Sequence, residues 1–211
     1  MIGIHDFWAF LAAGILLNLT PGNDTIYILS RSIAHGRQAG VLSALGIATG
    51  SFLHTLFAAF GLSVIITQSI FLFRIVQYVG AGYLAYVGFS MLRQRSMLTV
   101  EGPAAPGTTR RRTIYRDAVL TNLLNPKVAM FYLAFLPQFV DPSHKQAALP
   151  FIALGFTFTT TGTIWCLILA LIASRIQARL QIHRRLSLIV QKSCGAVLLG
   201  LGIKLAMSGR R

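Results

Sequence analysis

Acidic residues and cysteine are what this sequence has least of. Of its 211 residues only five are Asp or Glu, against nineteen Lys and Arg, and charged residues make up 11%. A soluble domain carries about 25% charged residues. So small a share, beside 55% hydrophobic residues, excludes an ordinary soluble domain and points to an all-α integral membrane protein. The two cysteines, Cys166 and Cys194, show no CxxC spacing, so neither a disulfide framework nor a cysteine zinc site is expected. No GxxxxGK[ST] occurs, and transport would run on a gradient without ATP bound to this chain. Metal sites want clustered His, Cys or carboxylates, and the spans offer one deep His and one deep Asp. No cofactor or metal is expected. No basic segment precedes the first apolar run, so no cleavable signal peptide is expected.

A membrane helix needs about 20 apolar residues to cross about 30 Å. Six runs qualify: Phe7 to about Ser30, Gly40 to about Ile66, Phe71 to about Leu92, about Ala118 to Val140, Ala147 to about Ala173, and Leu186 to about Met207. The net charge of +14 would suit nucleic acid, but the basic residues lie between these runs, as the positive-inside rule requires. No nucleic-acid partner is expected. Arg31 and Arg37, then Arg93, Arg95, Arg110 to Arg112 and Arg116, then Arg175, Arg179, Arg184 and Arg185 fall in loops one, three and five. Only Lys145, Arg210 and Arg211 fall on the other side. Loops one, three and five are therefore expected in the cytoplasm and both termini outside. The polar stretch 93–116, with its Pro, Gly and small residues, reads as a basic cytoplasmic linker. It divides the chain into residues 1–92 and 117–211, three runs each.

The halves resemble one another. Ala44-Leu-Gly46 matches Ala153-Leu-Gly155, and Val76-Gln77 matches Val190-Gln191. The first and fourth runs are each broken by proline, at Pro21 and Pro126. A unit of three spans is odd, so its copy enters the membrane from the opposite face. The expected architecture is six transmembrane helices as two inverted three-helix repeats. Broken helices in such folds meet near the midplane and form the binding site.

The breaks carry the chemistry. The first is Asn18-Leu-Thr-Pro21-Gly22-Asn23-Asp24 and the second Asn122-Leu-Leu-Asn125-Pro126-Lys127. Proline removes a backbone donor and clashes with the preceding turn, and glycine relaxes the chain. Freed carbonyls and amides are tolerated at membrane depth only where protein or a wet cavity satisfies them. An Asp at a helix centre costs about 3 kcal/mol on insertion scales, so Asp24 is expected to have a partner or a job. Asn18, Asn23, Asn122 and Asn125 add donors and acceptors, a mix that suits a zwitterion: amides at a helix amino end for its carboxylate, carbonyls or Asp24 for its ammonium. Asp24 can alternatively take up a proton. Lys127 can pair with Asp24 or face a substrate carboxylate. A structural ion pair pinning two helices is the simpler alternative, though it would gain nothing from the breaks.

Weaker signals lie on runs two and five. The Ala-Leu-Gly register places Ser51 on Thr160 and His54 on Thr163, a polar face at matching depth that suggests a cavity wall. His54 is also a candidate proton relay. Tyr27 and Tyr132 lie one to two turns beyond the breaks and either close over substrate or pack. Gly36 with Gly40, and Gly46 with Gly50, are small-xxx-small pairs that allow close helix packing. Trp8 suits an interface anchor.

With these residues in view, the chain resembles the LysE/RhtB family of bacterial amino-acid exporters across nearly its full length. The first break is similar to that family's N-x-x-P-G-P-[DN] signature. The second, followed by Phe135-Leu-Pro137-Gln138-Phe139, is similar to its other signature. Asn23 stands where the family commonly has Pro. The Asp after Pro-Gly-x leans towards the threonine- and homoserine-exporter branch. The resemblance implies no enzyme but a multi-pass exporter of amino acids or related metabolites in the bacterial inner membrane, driven by the proton-motive force. Its signature residues fall on Pro21, Gly22, Asp24, Asn125, Pro126 and Lys127. The partners implied are a small-molecule substrate, protons and lipid, and the glycine-rich faces admit a homodimer. A channel remains an alternative, distinguished by unsaturable flux. A thiol-disulfide carrier is a second, but its chemistry needs paired cysteines about 5–6 Å apart at Cα, and the breaks hold none.

Overall fold

The computed structural model describes residues 3–62, 110–141 and 148–175, with single helical positions between 71 and 93 and between 192 and 207. The described residues are helical, joined at one point by an isolated antiparallel bridge between Ile4 and Val140. Most of the third and sixth runs, and the Val-Gln match between them, lie outside the described residues.

Helix α1 spans Phe7–Leu19 and ends as the sequence requires, just before Pro21. Thr20 turns to extended geometry, and its amide and hydroxyl cap the Leu16 and Leu17 carbonyls. Helix α2, Asn23–Phe57, starts after an extended Gly22 and is folded at Gly36, where φ is 79° and ψ −175°. This is a region only glycine occupies without strain. The limbs 23–35 and 37–57 fold back on each other there. A Cβ on Gly40 would strike the Ser32 side chain, whereas an unbroken helix holds residues eight apart about 12 Å from each other. Gly36, expected to serve helix packing, instead makes this turn; no other group lies within 4 Å of its Cβ position. The helix also runs on past Ser30, because hydropathy marks the hydrocarbon and not the end of the hydrogen-bond ladder. A π-helical turn, Ala58–Leu62, follows.

Helix α3, Arg111–Leu123, begins seven residues ahead of the fourth apolar run, so the arginines at the end of the expected linker form its first turns. Asn125 caps helix α4, Pro126–Met130: its Oδ1 accepts from the Lys127 amide at 3.0 Å. Pro126 sits at the first helical position, where its missing donor costs nothing. The chain continues as a π turn, Phe131–Phe135, and a 3-10 turn, Leu136–Phe139. Helix α5 is described over Ala148–Arg175 and covers the fifth run from its second residue onward. By length and composition two helical stretches among the described residues, Asn23–Gly61, counted across its fold at Gly36, and Ala148–Ala173, are long and apolar enough to cross a membrane, and the bent pair Arg111–Leu123 with Pro126–Phe139, which turns by 46°, makes a third.

The two broken segments run antiparallel. Phe10 packs on Phe135 and Phe139, Lys127 reaches the Leu17 carbonyl, Asp24 meets Asn122, and Tyr27 meets the Ile114 carbonyl. One end of the assembly is tied by Arg111 donating to Gln38 at 2.7 Å. The other is tied by backbone bonds from His5 to Phe139 and from Asp141 to Gly3. The basic residues 31, 37 and 110–112 thus gather at the end away from the chain start.

Glycines set the remaining contacts. The limb 37–57 packs alongside α3 through Gly46 on Ala118 and the Tyr115 carbonyl, and through Gly50 on Asn122. Helix α1 packs alongside α5 through Gly14 on Phe158 and Asn18 on Gly162. Each broken segment therefore carries an Asn, just before its break, seated on a glycine of the long helix from the other half of the chain. Two apolar clusters result, one around Phe10, Phe131, Tyr132, Phe135 and Phe158, the other around Ile28, Ala44, Ile47, Ala118 and Cys166.

Candidate functional site

Where the two clusters meet, the breaks enclose a cavity of about 30 Å³, room for a water molecule or two. Leu17, Val128 and Phe158 come from the first cluster, Ile47 and Cys166 from the second. The polar wall holds Asn18, Asp24, Thr25, Ser51, Asn122, Lys127, Thr159 and Thr163. Four separated stretches of the sequence converge here, because both breaks fall at the same level of antiparallel segments and the long helices pack on them.

Asp24 stands in the first turn of α2. Its Oδ2 accepts from Asn122 Nδ2 at 2.9 Å, while Oδ1 is buried with no hydrogen-bond partner among the described residues. A buried carboxylate oxygen without a donor is costly. Lys127 Nζ donates to the carbonyls of Thr20 at 3.0 Å and Leu17 at 3.3 Å. It thereby neutralises the carboxyl end of α1, where the helix dipole is negative. Gly22 leaves it room: a Cβ there would come to 3.2 Å from Nζ. No side chain caps the amide end of α2, so its first-turn donors suit an anion.

Asn122 joins the walls. Ser51 donates to its Oδ1 at 3.5 Å, and His54 Nε2 lies 3.4 Å from its backbone carbonyl. Asn18 donates to Thr161 at 3.2 Å and to the Phe158 carbonyl at 3.3 Å. Tyr132 lies behind the cavity: its hydroxyl meets Thr55 at 3.0 Å, Thr159 at 3.1 Å and the Gly155 carbonyl at 3.4 Å, and its ring stacks on His54.

The structure thus brings together Asn18, Asp24, Ser51, Asn122, Lys127 and Thr163, with Gly22, Asn125 and Pro126 shaping the breaks. Other expected residues stand elsewhere. Asn23 is exposed and faces an outer hollow with Asp117, Leu120, Thr121 and Leu124, because it is one residue, about 100° of helix, from Asp24. Thr160 is exposed on α5, and Thr159 lies on the cavity in its place. Tyr27 donates to the Ile114 carbonyl at 2.9 Å beneath the Arg31 guanidinium, tying helices and not covering the cavity. Tyr132 and His54 support the wall without lining it. Trp165 is a lining residue that the sequence reading passed over. Its Nε1 is buried and has no partner among the described residues. A tryptophan in mid-run, far from either interface, is the signal that could have found it. Cys166 is a free buried thiol, and Cys194 lies outside the described residues.

The sequence matches the family model described as LysE type translocator over residues 15–209. An uncharacterized membrane protein of Pseudomonas aeruginosa is 30% identical over 208 residues, covering 97% of this chain and 96% of its own. An uncharacterized membrane protein of Bacillus subtilis is 29% identical over 212 residues, covering 97% of this chain and all of its own. The leucine efflux protein of Salmonella typhimurium is 29% identical over 205 residues, covering 97% of this chain and 96% of its own. No solved structure matches.

Proposed function

The chain belongs to the LysE translocator family, and from that premise we propose that it is a secondary transporter exporting amino acids or related small metabolites across the bacterial inner membrane in exchange for protons. The observation that carries this reading is Asp24 at the first helix break: a half-buried carboxylate on the cavity wall, with one oxygen held by Asn122 and the other buried without a partner among the described residues. A single carboxylate can bind a proton or a substrate ammonium, not both. A site that alternates between them couples the outward movement of one to the inward movement of the other. Lys127 and the open amide end of α2 supply positive potential for an anionic group. The leucine efflux relative, similar along almost its whole length, supports an amino-acid substrate.

Six membrane spans in two inverted halves belong to the same proposal. The antiparallel course of the broken segments and the paired seats of Asn18 on Gly162 and Asn122 on Gly50 support a two-fold relation in the membrane plane. The gathering of the basic residues at the end away from the chain start supports a cytoplasmic face there. The cavity as it stands has room for a water molecule or two, and alternating access would widen it towards either face to admit an amino acid. The test is purified protein in liposomes under an imposed pH gradient with a panel of labelled amino acids. Saturable, gradient-dependent flux of one group is expected. A folded protein that moves none of them would overturn the amino-acid reading.

A further inference from the structure

Two of the residues that line this cavity each carry a buried polar atom with no hydrogen-bond partner among the described residues: the acceptor Asp24 Oδ1 on α2 and the donor Trp165 Nε1 on α5. A buried donor without an acceptor carries an uncompensated desolvation cost, and so does a buried acceptor without a donor. One ligand with a cationic donor and an anionic acceptor would satisfy both. The rest of the wall is the Thr25 hydroxyl, polar side chains that are already hydrogen-bonded, and the apolar Leu17, Ile47, Val128, Phe158 and Cys166. Asn18, Asn122 and Lys127 already have partners in the protein.

We infer that the Trp165 indole N–H is the donor that recognises the substrate's carboxylate, while Asp24 Oδ1 accepts from its ammonium, so that the site selects a zwitterion with an apolar side chain. This rests on the amino-acid reading above and adds to it a specificity-determining residue and a side-chain class. The indole offers a single donor and no acceptor, so it rewards a carboxylate and gives nothing to an ammonium. The apolar wall gives a branched aliphatic side chain a dry surface and leaves a charged one unsolvated.

The test uses full-length protein in detergent and three probes: L-leucine, isoamylamine (leucine without its carboxylate) and 4-methylpentanoate (leucine without its ammonium). The sequence holds two tryptophans, and Trp8 is exposed. In a Trp8→Phe variant, Trp165 is therefore the only tryptophan fluorophore. L-leucine is expected to shift and quench its emission saturably, and isoamylamine to leave it unchanged at concentrations where it competes with leucine. In a Trp165→Phe variant, labelled L-leucine is expected to bind at least tenfold more weakly and isoamylamine as in wild type. Equal leucine affinity in wild type and Trp165→Phe, or the same emission change with isoamylamine, would overturn the assignment of Trp165 while leaving the transporter reading intact. Tighter binding of L-lysine than of L-leucine would overturn the apolar class. Wild type that binds no amino acid would overturn the transporter reading and this inference with it.

Discussion

Asn122 reaches Asp24 between the two helix breaks, its side-chain amide donating to the carboxylate at 2.9 Å. The two residues are far apart in sequence, and the bond exists because the broken segments run antiparallel with their breaks at one level. Gly50 makes the seat for Asn122, since a Cβ there would come within 2.7 Å of its Oδ1. Position, polarity and space are thus supplied by α3 and the two limbs of α2.

Asn122→Ala removes the donor to Asp24 and the acceptor for Ser51. A buried group left unsatisfied costs about 1–3 kcal/mol, so the melting temperature in detergent is expected to fall by several degrees and transport at least tenfold. Melting and flux both equal to wild type would show that the bond holds nothing.

Gly50→Ala forces a methyl group into Asn122 and should cost about 1–3 kcal/mol by overpacking, with transport falling as Asn122 is displaced. Gly162→Ala, whose new Cβ would come to 2.9 Å from Asn18, should behave alike. Gly82→Ala, with open space around it, is the control expected to melt within a degree of wild type. Thermal melting of the three variants side by side checks this.

Gly36→Ala tests the fold in α2. The turn's positive φ strains any other residue by about 1–3 kcal/mol, and no neighbour crowds the position. A lower melting temperature with an unchanged KM for transport is expected. A changed KM would mean that the turn shapes the site.

Lys127→Met leaves the Thr20 carbonyl without its Lys127 donor and the Leu17 carbonyl with only the Thr20 amide, and Lys127→Arg restores charge with a larger head against Gly22. The first is expected to abolish transport and lower stability, the second to recover stability more than transport. If Lys127→Met transports normally, the cation at the end of α1 is not part of the cycle.

Much of this was legible in the sequence. The breaks at Pro21 and Pro126 and the convergence of Asn18, Asp24, Asn122 and Lys127 follow from proline chemistry and from the cost of charge in an apolar run. What was not legible turns on side-chain direction. Thr159 and Thr160, or Asn23 and Asp24, are neighbours in sequence but about 100° apart on a helix, and the repeat register, resting on few identities, does not fix rotation to one residue. Trp165 was lost because an indole in an apolar run reads as packing until its N–H is found without a partner. The extension of α3 to Arg111 was hidden because hydropathy ends where the hydrocarbon does, while the hydrogen-bond ladder continues into water.

The most direct test of the account compares wild type with Asp24→Asn in liposomes, under an imposed pH gradient and then in gradient-free exchange, using the amino acid that wild type moves best. Asn keeps the shape of the residue but can neither take up a proton nor carry charge. Gradient-driven flux is expected to fall to the level of empty liposomes in the variant. Undiminished gradient-driven flux would contradict it, because the proton would then travel by another group and Asp24 would be no more than a partner for Asn122.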